Sequence, residues 1–312
     1  MKKISLLIVT IVLLVAAPPE AKAFNLTRLV DCSAGQKVAD ALKFALPGET
    51  ILLNGTCNEN LFISSPFHQF DGITLDGQGV ATLNGPDATL NTIELVGVQG
   101  FTVKRLTVTG GFDGISINTS PGTAIDTVVV QNVGRIGVHF QRASTMGFVV
   151  NSTIQNNPSN GLVINENSYV RVGFSADVGA SQGATGPNVI SNNGGFGIRV
   201  QRSAVARIYL NTIDSNANDG IHVESDSYAE VASNEIGGNA KNGVFVSENS
   251  VLHLGNATGT KNEDNPNTST APNGAFGLAA SWGAYVQGRQ GTLTGTSGAA
   301  SFAHGSNNNL TP

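Results

Sequence analysis

Basic charge is scarce in this sequence. The 312 residues include 17 Lys and Arg against 22 Asp and Glu. If the apolar leader is removed, Lys2, Lys3, Lys22 and Glu20 go with it, and the formal charge moves from −5 to −7. Such a chain has no field to draw in nucleic acid or an anionic membrane surface. Long apolar runs are scarce too. The single run, Ile4–Ala17 behind Lys2 and Lys3, has about 14 residues, short of the ~20 that a membrane span needs. With Ala21-Lys22-Ala23 as a cleavage signal, residues 1–23 read as a secretory signal peptide. No cysteine adjoins that signal, so a lipid anchor is not expected. Only Cys32 and Cys57 are present. In an exported chain, two cysteines flanking one short segment are expected to pair. Helical periodicity is nearly missing as well. Only Gln36–Ala45 shows it, with Val38, Ala41, Leu42 and Ala45 in step before Pro47-Gly48 ends the pattern.

What the chain does have is a repeat. NVISNNGGFGIRVQ, NTIDSNANDGIHVE and NEIGGNAKNGVFVS follow one another, with Ile190, Ile213 and Ile236 spaced by 23 residues. Asn193, Asn216 and Asn239 keep the same interval, as do Gly197, Gly220 and Gly243. A fixed period of this length means stacked supersecondary units. Within each unit GIRVQ, GIHVE and GVFVS alternate apolar and polar, which is strand periodicity. SAVARI, SYAEV and SVLHL add a further short strand per unit. Three short strands and three turns in 23 residues make one coil of a parallel β-helix, an all-β solenoid. Its inward stacks would contain Ile198, Ile221 and Val244. The in-register Asn193, Asn216 and Asn239 are expected to form an internal amide ladder.

The register extends back through Gly161, Gly137 and Gly114, and forward to Gly283 in GAYVQ, where the gap of 40 residues implies an insertion. A second insertion lies between Gly161 and Gly197. The insertions map to Gly173–Pro187 and Gly255–Asn273, at the same corner of the coil. The expected organisation is a signal peptide (1–23), an N-terminal cap segment with a short helix (24–48), a β-helix of nine or ten coils (49–290) and a C-terminal tail (291–312).

PGETILLNGTCNEN with its preceding helix, ITLDGQG at Ile73–Gly79 and the N-x-I-x-x-N…G-[IV]-x-V repeats together resemble the right-handed parallel β-helix proteins of the pectate-lyase-like superfamily. The resemblance covers about residues 30–290 and implies the fold. It also implies the general habit of that superfamily, whose enzymes mostly act on long polysaccharides lying along one face. It implies no particular catalytic residues. The paired-aspartate pattern of polygalacturonases is missing, since Asn118-Thr119 is followed by Ser120, and neither the calcium-binding aspartates nor the arginine base of pectate lyases can be aligned. Fold alone does not fix an activity.

Candidate residues therefore come from the alternation. One outward row reads Ser116, His139, Val163, Arg199, His222, Phe245 and Tyr285. Beside it run Asn118, Gln141, Asn165, Gln201, Glu224, Ser247 and Gln287. Amides bond hydroxyls, rings stack on sugar faces and arginine pairs with carboxylates. Arg199, His222 and Glu224 are the candidate catalytic group: an anchor for a uronate carboxylate, a proton carrier and a partner that orients it. His139, Gln201, Phe245 and Tyr285 are the candidate substrate contacts. A second outward face carries Arg171, Arg207, Glu230 and His253 beside both insertions. The acidic groups Asp214, Asp219, Glu224, Asp226 and those of Lys261–Asn265 suit only calcium, and acidic loops are ordinarily just solvated, so no metal or cofactor is expected. The expected protein is an exported monomer, periplasmic or extracellular, that binds a uronan-type polysaccharide and, if it is an enzyme, is a lyase or epimerase. The alternative is a structural or adhesin-like surface repeat protein.

Overall fold

In the computed structural model, which describes residues 26–65, 67–174, 186–255 and 265–310, the chain winds into a parallel β-helix of about eleven coils. Each regular coil contributes a strand to each of three sheets. We call the ten-stranded sheet containing Ile198–Gln201 the front sheet, the twelve-stranded one containing Val205–Tyr209 the flank sheet, and the eight-stranded one containing Thr212–Asp214 the rear sheet. All strand pairs are parallel and in register. Ile154, Ile190, Ile213 and Ile236 lie one above another in the rear sheet, and Ile198, Ile221 and Val244 do so at the front. These side chains are fully buried, and each contributes on the order of 1.5–3 kcal/mol by leaving water.

The coils are tied at their corners by side chains that replace the hydrogen bonds a turn cannot make for itself. At the rear-to-front corner Asn157, Asn193, Asn216 and Asn239 each donate an amide N–H to the side-chain oxygen of the next, ending on Asn273, at 3.0 Å, so the expected ladder is present. A second ladder, Asn188, Asn211, Asn234 and Asn267, holds the flank-to-rear corner at 2.8–3.0 Å. At the front-to-flank corner Ser144 and Ser168 accept backbone N–H bonds from the coil before. The repeated glycine has a steric cause: a Cβ on Gly197 would stand 2.6 Å from the Gly220 carbonyl and 2.8 Å from the Asn216 amide.

Three expectations need correction. The stack exceeds residues 49–290. Thr27–Asp31 pairs with Thr50–Asn54 at one end. At the other, Gly298–Phe302 and Asn307–Leu310 pair with Phe276–Ala280 and Tyr285–Gly288. The last coil was read as a tail because AASF and NNNL carry no apolar alternation; backbone pairing does not need it. The N-terminal helix is shorter than Gln36–Ala45, running from Val38 to Leu42, with Val38 and Leu42 in the core and the Glu59 carboxylate accepting the N–H groups of Val38 and Ala39. After Gly243 the register resumes at Gly277, not Gly283. Val244 pairs with Leu278, while Tyr285 pairs with Val251 in the flank sheet. GAYVQ copies the sequence pattern of a front strand, but the small residues of GLAA occupy that place.

Cys32 and Cys57 are disulfide-bonded and join the first turn after the N-terminal strand to the first rear strand. Residues 1–23, read as a signal peptide, lie outside the described residues, as do most of the two insertions. No helix among the described residues is long and apolar enough to cross a membrane.

Candidate active site on the front sheet

The front sheet turns one row of alternate side chains outward: Phe62, Glu94, Ser116, His139, Val163, Arg199, His222, Phe245 and Ala279. The sequence predicts this row from Ser116 to Phe245; Phe62 and Glu94 extend it at one end, and at the other Ala279 takes the place assigned to Tyr285. The row is not simply solvated. His139 and His222 are each only 8% exposed, Val163 2% and Ser116 1%. Coils spaced ~4.8 Å apart let neighbouring side chains cover one another, and the residues before each front strand rise beside the row as a wall.

That wall is built by the same rule as the ladders. The residue preceding the repeated glycine caps the backbone of the next coil. Asn160 accepts from the Phe196 N–H at 2.9 Å, Asp219 from the Asn242 N–H at 2.9 Å and Asn242 from the Phe276 N–H at 3.2 Å. Where that residue is an aspartate, a second oxygen is left to face the row. Asp219 thereby reaches His222 Nδ1 at 2.8 Å, and the other ring nitrogen, Nε2, meets Glu224 at 3.2 Å. Glu224 in turn receives the Arg199 Nε at 2.7 Å and its Nη2. Phe196 and Phe245 flank the imidazole, with ring centroids 4.4 and 5.0 Å away, and the guanidinium lies over Phe196.

The three residues chosen from sequence as catalytic are thus brought together, and Asp219, which the sequence offered only as an acidic group for calcium, and Phe196, which it did not single out, complete the group. Burial alone would lower the His222 pKa. Its hydrogen bonds to Asp219 and Glu224, and their charges, overcome this and raise it above its ordinary value. The hydrogen bond from His222 and the bonds and charge of Arg199 outweigh burial at Glu224 and hold its pKa at about 2. With His222 protonated, the form its two carboxylate partners favour, the group is a chain of alternating charges through Asp219, His222, Glu224 and Arg199. Arg199 Nη1 takes no protein hydrogen bond among the described residues.

His139 sits three coils away, roughly 14 Å, in a related arrangement. Asp113 precedes Gly114, accepts the Ile136 N–H at 3.1 Å and receives Arg135 through two bonds at 2.8 and 2.6 Å. His139 Nδ1 is 3.5 Å from the same carboxylate. Burial pushes the Asp113 pKa upward, but the bonds from Arg135, His139 and the Ile136 amide bring it below its ordinary value. Gln201 is half-buried in the second row, in register with Asn165.

The flank face is organised differently. Arg171, Arg207, Glu230 and His253 are in register as expected. Glu230 accepts the hydroxyls of Tyr209 and Tyr228 at 2.5 and 3.0 Å and pairs with Arg207 at 3.0 Å. Burial, then the Glu230 charge, pushes the Tyr228 hydroxyl up to about 12. Arg171 is packed among Phe148, Tyr169 and Phe174. Tyr285 belongs here, with its hydroxyl 3.4 Å from Gln287.

A protein-family model described as periplasmic copper-binding protein (NosD) matches residues 71–268. The sequence matches no curated protein. Among solved structures, the A-module of the Azotobacter vinelandii mannuronan C-5 epimerase AlgE6 superposes with a TM-score of 0.51 at 15% identity, over 86% of this chain and 82% of that one. The pectate lyase Pel9A gives 0.50 at 12% identity, over 93% and 78%. The periplasmic alginate epimerase AlgG gives 0.51 at 16% identity, over 86% and 61%. At these identities the likeness is one of fold.

Proposed function

Because the chain belongs to the NosD family of β-helix proteins, we propose that it is an exported protein that binds an extended, carboxylate-bearing polysaccharide along the front sheet. The Asp219–His222–Glu224–Arg199 group serves as the main contact. One observation carries this reading: a fully connected ionic chain lies on the outer side of the sheet, flanked by two aromatic rings. The core is complete without it, and buried ionic groups are costly to assemble. Equivalent positions recur at ~4.8 Å, close to the advance of one sugar unit, so a row of side chains can follow a polymer. Arg199 Nη1 and the imidazolium supply positive charge to a uronate, while Phe196 and Phe245 supply faces for sugar rings. The periplasmic description of the family and the disulfide support export.

Copper, which the family description names, does not fit the donors. Both cysteines are in the disulfide, Met146 is the single methionine among the described residues, and both His222 nitrogens are taken by carboxylates. No group of three His, Cys, Asp or Glu among the described residues is placed to hold a metal.

A lyase or epimerase must take a proton from the sugar ring. The carboxylates on both nitrogens of His222 raise its pKa and so favour the protonated imidazole, in which form the cluster is an acid and an anchor. Turnover is accordingly the second reading, and it would appear only as pH rises past the His222 value. Calorimetric titration with polygalacturonate, alginate and a neutral glucan tests the first reading. Binding to the uronans that falls about 10–100-fold in Arg199→Ala supports it. No binding to any of them leaves a structural surface role. Ultraviolet absorbance of unsaturated uronate, and NMR of the epimer ratio, measured across pH, test turnover.

A further inference from the structure

The two asparagine ladders are satisfied link by link among the described residues, which makes the unsatisfied groups conspicuous. Among the described residues four buried side-chain atoms have no hydrogen-bond partner, and three of them, Asn118 Oδ1, His139 Nε2 and Asn165 Oδ1, lie on the outer side of the front sheet. They fall on three consecutive coils, with Asn118 one coil before His139 and Asn165 one coil after it. The span is roughly 10 Å along the stack and about 7 Å across it, about the footprint of a disaccharide. The residues are 4, 8 and 3% exposed. A buried acceptor left without a donor costs about 1–3 kcal/mol, so three together are expensive unless something supplies the donors.

The surrounding bonds fix what that must be. The Asn118 amide N–H groups point to Glu94 and Ser116 at 3.4 Å, and the Ser116 hydroxyl also takes the Gln141 amide at 3.2 Å. Asn118 therefore presents its oxygen. In the neutral imidazole, Nδ1–H faces Asp113, so Nε2 is an acceptor. Asp113 commits both oxygens to Arg135, the Ile136 N–H and His139, and no spare oxygen of it remains for an ion. Val163, 2% exposed, gives an apolar floor between His139 and Arg199, and Arg135 stacked 4.4 Å over Phe112 forms the wall. Two acceptors, Asn118 Oδ1 and His139 Nε2, and the unpartnered amide of Asn165 beside an apolar floor suit a ring bearing several hydroxyl groups.

We propose that Asn118, His139 and Asn165 form a second sugar subsite, which accepts hydroxyl groups of a polymer unit about three units from the one at His222. The proposal rests on the polysaccharide reading above and specifies it: the ligand is a chain of at least four sugars, held by charge at one end and by its hydroxyls at the other.

The test is a length series of oligogalacturonates and oligomannuronates, dimer to octamer, titrated into the native protein, Asn118→Ala, Asn165→Ala and Arg199→Ala. The native protein should gain affinity in a step once the oligomer spans both sites. Asn118→Ala and Asn165→Ala should each lose that step, binding the octamer about tenfold more weakly and the trimer unchanged. Arg199→Ala should weaken every length. A step that persists in both asparagine variants overturns the subsite and leaves the polysaccharide reading standing. If no oligomer binds the native protein, that reading fails and the subsite with it. A thermal melt gives an independent readout. Asn165→Ala removes an unpartnered oxygen, so the unliganded variant should melt no lower than the native protein; a marked drop would show a structural role and overturn the assignment.

Discussion

Replacing Glu224 by glutamine isolates the charge at the centre of the front cluster. The glutamine keeps the shape and one carbonyl acceptor, but the negative charge between His222 and Arg199 is gone. A carboxyl held at about 2 instead of its ordinary 4.5 stabilises the fold by about 3 kcal/mol when ionised, at ~1.4 kcal/mol for each tenfold. The raised His222 pKa reflects largely the same contacts seen from the other partner, so the two are not added. The sign follows from the direction of each shift. Glu224 is depressed, so its contribution is complete above its unfolded value of 4.5 and is lost as pH falls toward about 2. His222 is raised, so its contribution is complete below its unfolded value of 6.5 and is lost as pH climbs through its folded value. The stability advantage of the native chain over Glu224→Gln should therefore be greatest, on the order of 2–3 kcal/mol, in the window between those unfolded values. It should shrink toward pH 2 and shrink again in alkali. Urea unfolding followed by far-UV circular dichroism at stepped pH measures this difference. An advantage that stays constant across the whole range would refute the ionic account and leave Glu224 as a packing residue.

The ladders make a different prediction: Asn216→Ala leaves the Asn193 backbone and side-chain N–H groups without their Asn216 acceptor and takes one donor each from Asn239 and the Ile190 carbonyl, so it should cost roughly 2–4 kcal/mol in denaturant unfolding. Ile213→Ala, in the rear aliphatic stack, should cost about 2–5 kcal/mol by the same measurement. Reduction of the Cys32–Cys57 bond, which closes a separation of 25 residues, should lower stability by about 3 kcal/mol, read as a shift of the unfolding midpoint with and without reductant.

How much of this was legible in the sequence depends on what each side chain answers to. The core answers to a period, so Ile190, Ile213 and Ile236 declared the stack, and Asn193, Asn216 and Asn239 declared a ladder. The second ladder was equally in step at Asn188, Asn211 and Asn234; it needed only the recognition that a coil has three corners and that each needs backbone partners. The last coil and Gly277 were misread because backbone pairing tolerates small and polar residues that leave no apolar trace. The site was half legible. Arg199 and His222 share a row because strand alternation puts them there, but Asp219 lies outside that alternation. Its position answers to the turn, where one oxygen must cap Asn242. Only after that structural need is met does the second oxygen reach His222. The same division of labour occurs at Asp113, with Ile136 and His139. On this scaffold an aspartate directly before the coil glycine, three residues ahead of its own strand's outward position, turns a structural cap into a partner for an imidazole. In both places where the described front sheet carries a histidine, that aspartate is present, one coil away at His139 and in the same coil at His222. The front face thus acquires its chemistry by substituting at capping positions that the fold already requires.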